Sequence, residues 1–193
     1  MERYEAVIEQ AAATLERGGT LLYPTDTIWG LGCDATNADA VEKLYDIKCR
    51  DHSKSMLILC ADLAMVRRYV GTVSPAAAAL LVAEGRPTTV IMPLEPSSHL
   101  LAGNLTAADG TIGVRLPRHH LCQALLHRLG RPIVSTSANR SGEPSPKCYE
   151  EIGWGVVSAV DYCLPAEADE GGQTQASRIV KLQGDGSILV IRD

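Results

Sequence analysis

Short apolar runs of strand length and longer runs of helical period succeed one another from end to end of this chain, and neither an internal repeat nor a low-complexity linker separates them. Such a mixture folds most economically as an α/β domain around a mixed sheet. The 193 residues are enough for one sizeable core. Residues 2–17 place Val7, Ile8, Ala11, Ala12 and Leu15 on one helical face, and Gly18-Gly19 closes the helix. Thr20–Tyr23 reads as a buried strand stopped by Pro24, and Asn37 caps a helix that carries Val41, Leu44 and Ile47 and ends near Ile47. A strand follows at 55–59, then a helix over 62–70. Ser74-Pro75 opens an Ala-rich helix that runs to Gly85. Further strands are predicted at 88–92, 111–116, 132–135, 160–164, 177–182 and 187–191, the last two forming a hairpin about Gly184-Asp185-Gly186. Residues 93–109 and 138–147 remain irregular, as functional loops often are.

Charge and composition remove several function classes. The net charge of −5 gives no general attraction to nucleic acid, so any anion site must be local. Aromatic residues are 4% of the chain, with no Phe, which leaves few platforms for stacking single-stranded bases. The longest apolar stretches fall well short of the roughly 18 residues of a membrane span. Cys33, Cys49, Cys60, Cys122, Cys148 and Cys163 form no C-x-x-C pair, and the N-terminus lacks an apolar signal core, so reduced thiols and a cytoplasmic location are expected. Without H-E-x-x-H or paired cysteine spacing, a zinc centre is not expected, and Met56, Met65 and Met92 read as packing.

The distribution of charge is more informative than its sum. No Asp or Glu occurs between Thr111 and Gly142, an interval that holds Arg115, Arg118, Arg128, Arg131 and Arg140. Lys48, Arg50 and Lys54 form a second cationic group, and in extended chain Lys48 and Arg50 would share a face. Each cluster taken alone fits solvated surface charge; together they could clamp a polyanion. Both Lys48 and Arg50 are read as exposed, so alanine in either place should leave folding intact while reducing turnover. Residues 133–142, IVSTSANRSG, run from an apolar strand straight into small hydroxyl and amide side chains, a pattern suited to phosphate or ribose and also to a simple turn with a helix cap. The loop 24–32, PTDTIWGLG, is built similarly and could face a ligand. Neither a G-x-G-x-x-G fingerprint nor a phosphate-binding G-x-x-x-x-G-K-[ST] loop is present. Period-two alternation in the strand at 111–116 puts Thr111, Gly113 and Arg115 opposite the apolar Ile112, Val114 and Leu116, which turns Arg115 towards a polar space. Arg128 and Arg131 instead flank a helix C-terminus, where the dipole favours a cation.

The loop at 24–32, Lys48-Cys49-Arg50, Arg115 and the segment 135–142, in this order and spacing, resemble the YrdC-like threonylcarbamoyl-AMP synthase family. The resemblance covers most of the chain and is to the short, single-domain form. It implies one α/β domain over residues 1–193, with a twisted mixed parallel/antiparallel sheet and flanking helices around a basic cavity. The implied reaction joins L-threonine, bicarbonate and ATP into threonylcarbamoyl-AMP and pyrophosphate, a nucleotidyl transfer that serves N6-threonylcarbamoyladenosine formation in tRNA. By resemblance Lys48 and Arg50 are catalytic, and Thr25, Arg115 and Ser135 hold threonine. Arg50, Lys54, Thr89, Ser137, Asn139, Ser145, Ser177 and Arg192 would contact ATP. Mg²⁺ is expected on the triphosphate of ATP, with few protein ligands, and no residue is singled out to bind it. The implied partners are the downstream threonylcarbamoyl-transferring proteins, with tRNA itself a candidate and no membrane. Trp29, Cys49, Asp51 and residues 83–87 depart from the family pattern without touching its charged residues. Two alternatives stand beside this reading. One is a module that binds double-stranded RNA or tRNA by shape, without catalysis, against which the net charge weighs. The other is a carbamoyl-transfer domain of the kind found in hydrogenase maturation proteins, which uses carbamoyl phosphate and comes with acylphosphatase or zinc-finger segments.

Overall fold

The computed structural model describes residues 4–95, 100–169, 171, 175–183 and 186–193. Helix α1 (Glu5–Glu16) ends as its glycines dictate: Gly18 takes a positive φ of 73° and the Gly18 and Gly19 amides return to the carbonyls of Leu15 and Thr14. The side chain of Asn37 caps α2 (Ala38–Lys48) by accepting from the Ala40 amide, and Asp62 does the same for Met65 at α3 (Leu63–Tyr69). Ser74 caps α4 (Pro75–Val82), whose first residue is the proline. This helix stops short of the expected Gly85 because Ala83 turns extended and the Arg118 guanidinium takes the carbonyls of Ala83 and Gly85. Helices α5 (His120–Leu129) and α6 (Trp154–Val157) complete the α-helices among the described residues.

Strands β1 (Thr20–Tyr23), β2 (Gly30–Asp34), β3 (Leu57–Leu59), β4 (Thr88–Pro93), β5 (Thr111–Arg115), β6 (Ile133–Ser137), β7 (Tyr162–Cys163), β8 (Arg178–Leu182) and β9 (Ile188–Arg192) form one sheet. Its order is β7-β1-β2-β6-β3-β5-β4-β8-β9, with parallel contacts at β7–β1, β3–β5 and β4–β8 and antiparallel contacts elsewhere. The mixed α/β sheet expected from the sequence is present, and β8 and β9 are the expected hairpin, although residues 184–185 at its tip lie outside the described set. The loop read at 24–32 needs correction, since Gly30, Leu31 and Gly32 belong to β2. A Cβ on Gly32 would lie 2.6 Å from the Val134 carbonyl and 2.7 Å from the Tyr23 ring, so close packing in the sheet excludes a side chain there. Composition read as a loop what is a tightly packed strand.

Alternation along the strands sorts the core into two layers. Leu22, Leu31, Val134, Ile58, Val114 and Val90 pack with the buried faces of α2, α3 and α4. On the opposite face Leu21, Tyr23, Ile133 and Leu59 pack against α1 and α5. Met56 and Met92 are core residues, as expected, and Met65 packs at its edge.

Candidate functional site

Past the ground covered by α1 and α5, this second face of the sheet carries Leu57, Gly113, Ile91 and Ile179, and these floor a cavity of about 580 Å³. In the sheet register Leu57 stands beside Gly113, and Gly113 beside Ile91. A Cβ at Gly113 would sit 3.2 Å from Leu57 Cβ and 3.3 Å from Thr89 Cγ2, so glycine keeps the middle of the floor low. The loop between β1 and β2, the carboxyl end of β6 and the β8–β9 hairpin raise the walls.

Arg115 reaches the cavity from the last position of β5, on the polar face predicted for it, and is 3% exposed. Its Nη1 donates to Thr27 Oγ1 at 2.7 Å, and Nη2 lies 3.7 Å from Asp26 Oδ1. Its buried Nε has no hydrogen-bond partner among the described residues. Asp26 and Thr27 are functional candidates that the sequence reading passed over, although both lie in the loop it singled out between β1 and β2.

Of the other predicted residues, Thr25, Arg50, Thr89, Ser135, Ser137, Ser145, Ser177 and Arg192 all line the cavity. Two of its cations are held by neutral oxygens. Arg50 donates from Nε and Nη2 to the carbonyls of Lys54 and Ser55, both at 2.9 Å. Arg192 donates from Nε and Nη2 to the Ser177 carbonyl at 3.0 and 2.7 Å, and the Ser177 hydroxyl shares a 2.8 Å bond with Thr89 Oγ1. Burial depresses the Arg50 guanidinium below its ordinary value, with Tyr45 opposing. Burial depresses Arg192 too, helped by the charges of Arg115 and Arg86.

Lys48, Lys54 and Asn139 stand apart from the cavity lining. The expectation that Lys48 and Arg50 share a face in extended chain fails, because Lys48 closes α2 and Cys49 takes a left-handed conformation at φ 48°. Lys48 is also no solvated cation. It is 2% exposed, and its Nζ donates to the carbonyls of Ser137 and Asn139, both at 2.6 Å, and to Asn139 Oδ1 at 3.4 Å. Its own carbonyl accepts from the Ser141 amide, so the end of α2 and the exit of β6 are fastened together. Burial pushes the ammonium down to about 8, with Arg50 adding to the fall and Glu143 resisting it. Asn139 completes this clasp by donating to the Glu143 carbonyl.

The carboxylate-free interval is not a cationic clamp in space, because carboxylates from elsewhere in the chain meet it. Arg128 bridges Glu9 and Glu16 of α1, Arg131 pairs with the buried Asp34 at 2.7 Å, and the Arg118 amide donates to Asp26. The structural role expected for Arg128 and Arg131 thus comes from ion pairs with α1 and β2 as well as from the helix end. Trp29 is a cavity residue fixed by an Nε1 bond to Asp169 and a tilted contact with Tyr149. None of the six cysteines is joined in a disulfide. Among the described residues no group of three or more His, Cys, Asp or Glu side chains could hold a metal ion, and no helix is long and apolar enough to cross a membrane.

Comparison with known proteins places this chain in a family. A protein of Stenotrophomonas maltophilia named threonylcarbamoyl-AMP synthase is 34% identical over 178 residues, which cover 91% of this chain and 93% of that protein. A Bacillus subtilis protein of the same name is 37% identical over 147 residues, covering 75% of this chain and 42% of the relative, so the chain spans less than half the length of that protein. The crystal structure of P. abyssi Sua5 complexed with L-threonine superposes with a TM-score of 0.77 at 26% identity, over 91% of this chain and 50% of that one. The sequence model of the Sua5–YciO–YrdC family, described as telomere recombination, matches residues 13–193, and the chain belongs to this family.

Proposed function

We propose that the chain is an L-threonylcarbamoyladenylate synthase, a nucleotidyltransferase that joins L-threonine, bicarbonate and ATP into threonylcarbamoyl-AMP and pyrophosphate. The observation that carries this reading is Arg115, a buried guanidinium whose Nε has no hydrogen-bond partner among the described residues and which faces a cavity that also holds Arg50, Arg192 and several hydroxyls. A planar guanidinium in that setting suits a carboxylate, here that of threonine, and the Ser135 hydroxyl lines the same cavity. Arg50 and Arg192, bonded to carbonyl and hydroxyl oxygens, retain their charge for a triphosphate. Thr89, Ser137, Ser145 and Ser177 add hydroxyls to the cavity lining.

In the reaction the threonine nitrogen bonds to the bicarbonate carbon with loss of water, giving a carbamate. A carbamate oxygen then attacks the α-phosphorus of ATP as the bond to the bridging oxygen of the β-phosphate breaks. Two anions must meet, so cations that neutralise the phosphates and a site that limits bulk water are the protein's main contributions. Magnesium arrives on ATP as part of the substrate and helps carry the departing pyrophosphate. Lys48 acts from outside the cavity by holding the Ser137–Asn139 turn. The adenylate is the activated form from which separate proteins modify adenosine in tRNA, in the cytoplasm.

The direct test is stoichiometry. With Mg–ATP the purified chain should release pyrophosphate only when threonine and bicarbonate are both present. ADP release, or pyrophosphate release independent of threonine, would reject the reading. Turnover with carbamoyl phosphate in place of bicarbonate would favour a carbamoyl-transfer function, and salt-sensitive RNA binding without turnover would favour an RNA-binding module.

A further inference from the structure

We propose that Thr27 and Asp26 are positioning residues that aim Arg115 into the cavity, and that the Thr25 hydroxyl is committed to the same support and makes no bond to substrate. The inference rests on the reading of Arg115 as the carboxylate site. It follows from counting protons. A threonine hydroxyl has one proton and two lone pairs. Thr25 Oγ1 gives its proton to the Ile28 carbonyl at 2.7 Å. The 2.9 Å contact between the Thr25 and Thr27 hydroxyls is therefore donated by Thr27, and the Thr27 amide also donates to Thr25 Oγ1 at 3.1 Å. Both lone pairs of Thr25 are then occupied.

Thr27 Oγ1, its own proton directed to Thr25, can only accept from Arg115 Nη1, and it does so at 2.7 Å. The chain of bonds has one direction, from Arg115 through Thr27 and Thr25 to the Ile28 carbonyl. On the other nitrogen, Asp26 Oδ1 lies 3.7 Å from Nη2 while Oδ2 accepts from the Arg118 amide at 3.2 Å. Arg118 in turn grips the carbonyls of Ala83 and Gly85 after α4. Nη1 is thus hydrogen-bonded to the loop after β1 and Nη2 is ion-paired with its carboxylate, while the buried Nε has no hydrogen-bond partner among the described residues. A bond between a charged donor and a fixed hydroxyl holds both position and plane, which bidentate recognition of a carboxylate requires.

The experiment compares the wild type with Thr27→Val, Thr27→Ser and Asp26→Asn by steady-state kinetics and by ¹⁵N NMR of the Arg115 guanidinium, assigned with Arg115→Lys. The wild type should show separate, slowly exchanging Nη signals. Thr27→Val should average them and raise the KM for threonine about tenfold or more, with the KM for ATP little changed. Thr27→Ser should restore both properties, and Asp26→Asn should raise the threonine KM by a smaller factor. A freely rotating guanidinium in the wild type, an unchanged threonine KM in Thr27→Val, or parallel losses towards both substrates with a lowered Tm would overturn the proposal. If the wild type holds the guanidinium rigid and Thr27→Val frees it while no threonine-dependent turnover occurs, the positioning role stands and the synthase reading falls.

Discussion

Replacing Lys48 with Met removes the ammonium around which the exit of β6 is fastened, and the effect on stability should depend on pH with a definite sign. The side chain is 2% exposed, and burial pushes its pKa from 10.5 down to about 8. Between these values an unfolded chain keeps the proton and the folded chain releases it, so the contribution of this group to folding stability rises with pH. The gap between 10.5 and about 8 corresponds to about 3 kcal/mol at roughly 1.4 kcal/mol per pH unit. That amount is a penalty present below about pH 8 and relieved by pH 10.5. The carbonyls of Ser137 and Asn139, both at 2.6 Å, favour the charged form and oppose the fall in pKa. Losing the donor to those carbonyls costs about 1–3 kcal/mol each and offsets the gain from removing a buried charge, so the change with pH is the informative quantity. Urea unfolding of wild type and Lys48→Met at pH 7 and pH 10.5 gives it by subtraction. Tyr23, Cys33 and Cys60, all raised by burial, lower stability in alkali in both proteins and cancel. Wild type should gain about 3 kcal/mol on the variant across this range. A difference constant to within about 0.5 kcal/mol would refute the buried, depressed ammonium.

The remaining arginines should separate by calorimetry. Arg115→Lys should lose most threonine affinity, since lysine cannot reproduce the fork, while Arg128→Ala and Arg131→Ala should keep it. Arg131→Ala should nonetheless lower stability by about 1–3 kcal/mol because Asp34 is buried, and Arg128→Ala by less because its pairs are exposed. Normal threonine binding by Arg115→Lys would remove Arg115 from the site. Gly113→Ala should fold but lower kcat/KM roughly tenfold or more, because the added methyl rises from the cavity floor, and unchanged kinetics would place the substrates elsewhere.

What could be read from the sequence was local. The caps at Asn37 and Ser74 needed only neighbouring residues, and the outward face of Arg115 needed only the alternation of β5. The errors were non-local. Lys48 reads as a solvated helix-end cation until the sheet order brings the exit of β6 against the end of α2. The interval without carboxylates reads as basic until Glu9, Glu16, Asp26 and Asp34 fold onto it. Gly32 reads as loop until the Tyr23 ring and the Val134 carbonyl occupy the space where a side chain would stand. Asp26 and Thr27 were in view, yet nothing in their local pattern showed that Arg115, 88 residues beyond Thr27, would rest on them.

The central claim is that the cavity makes a mixed anhydride of a threonine carbamate and AMP, and the fate of bicarbonate carbon tests it most directly. The wild-type chain, Mg–ATP and threonine are incubated with ¹³C-bicarbonate, and the products are quenched and resolved by mass spectrometry. The account predicts a labelled threonylcarbamoyl-AMP formed in step with pyrophosphate, absent without threonine and reduced in Arg115→Lys. Label that never joins AMP and threonine in one molecule, while ATP is consumed, would contradict it.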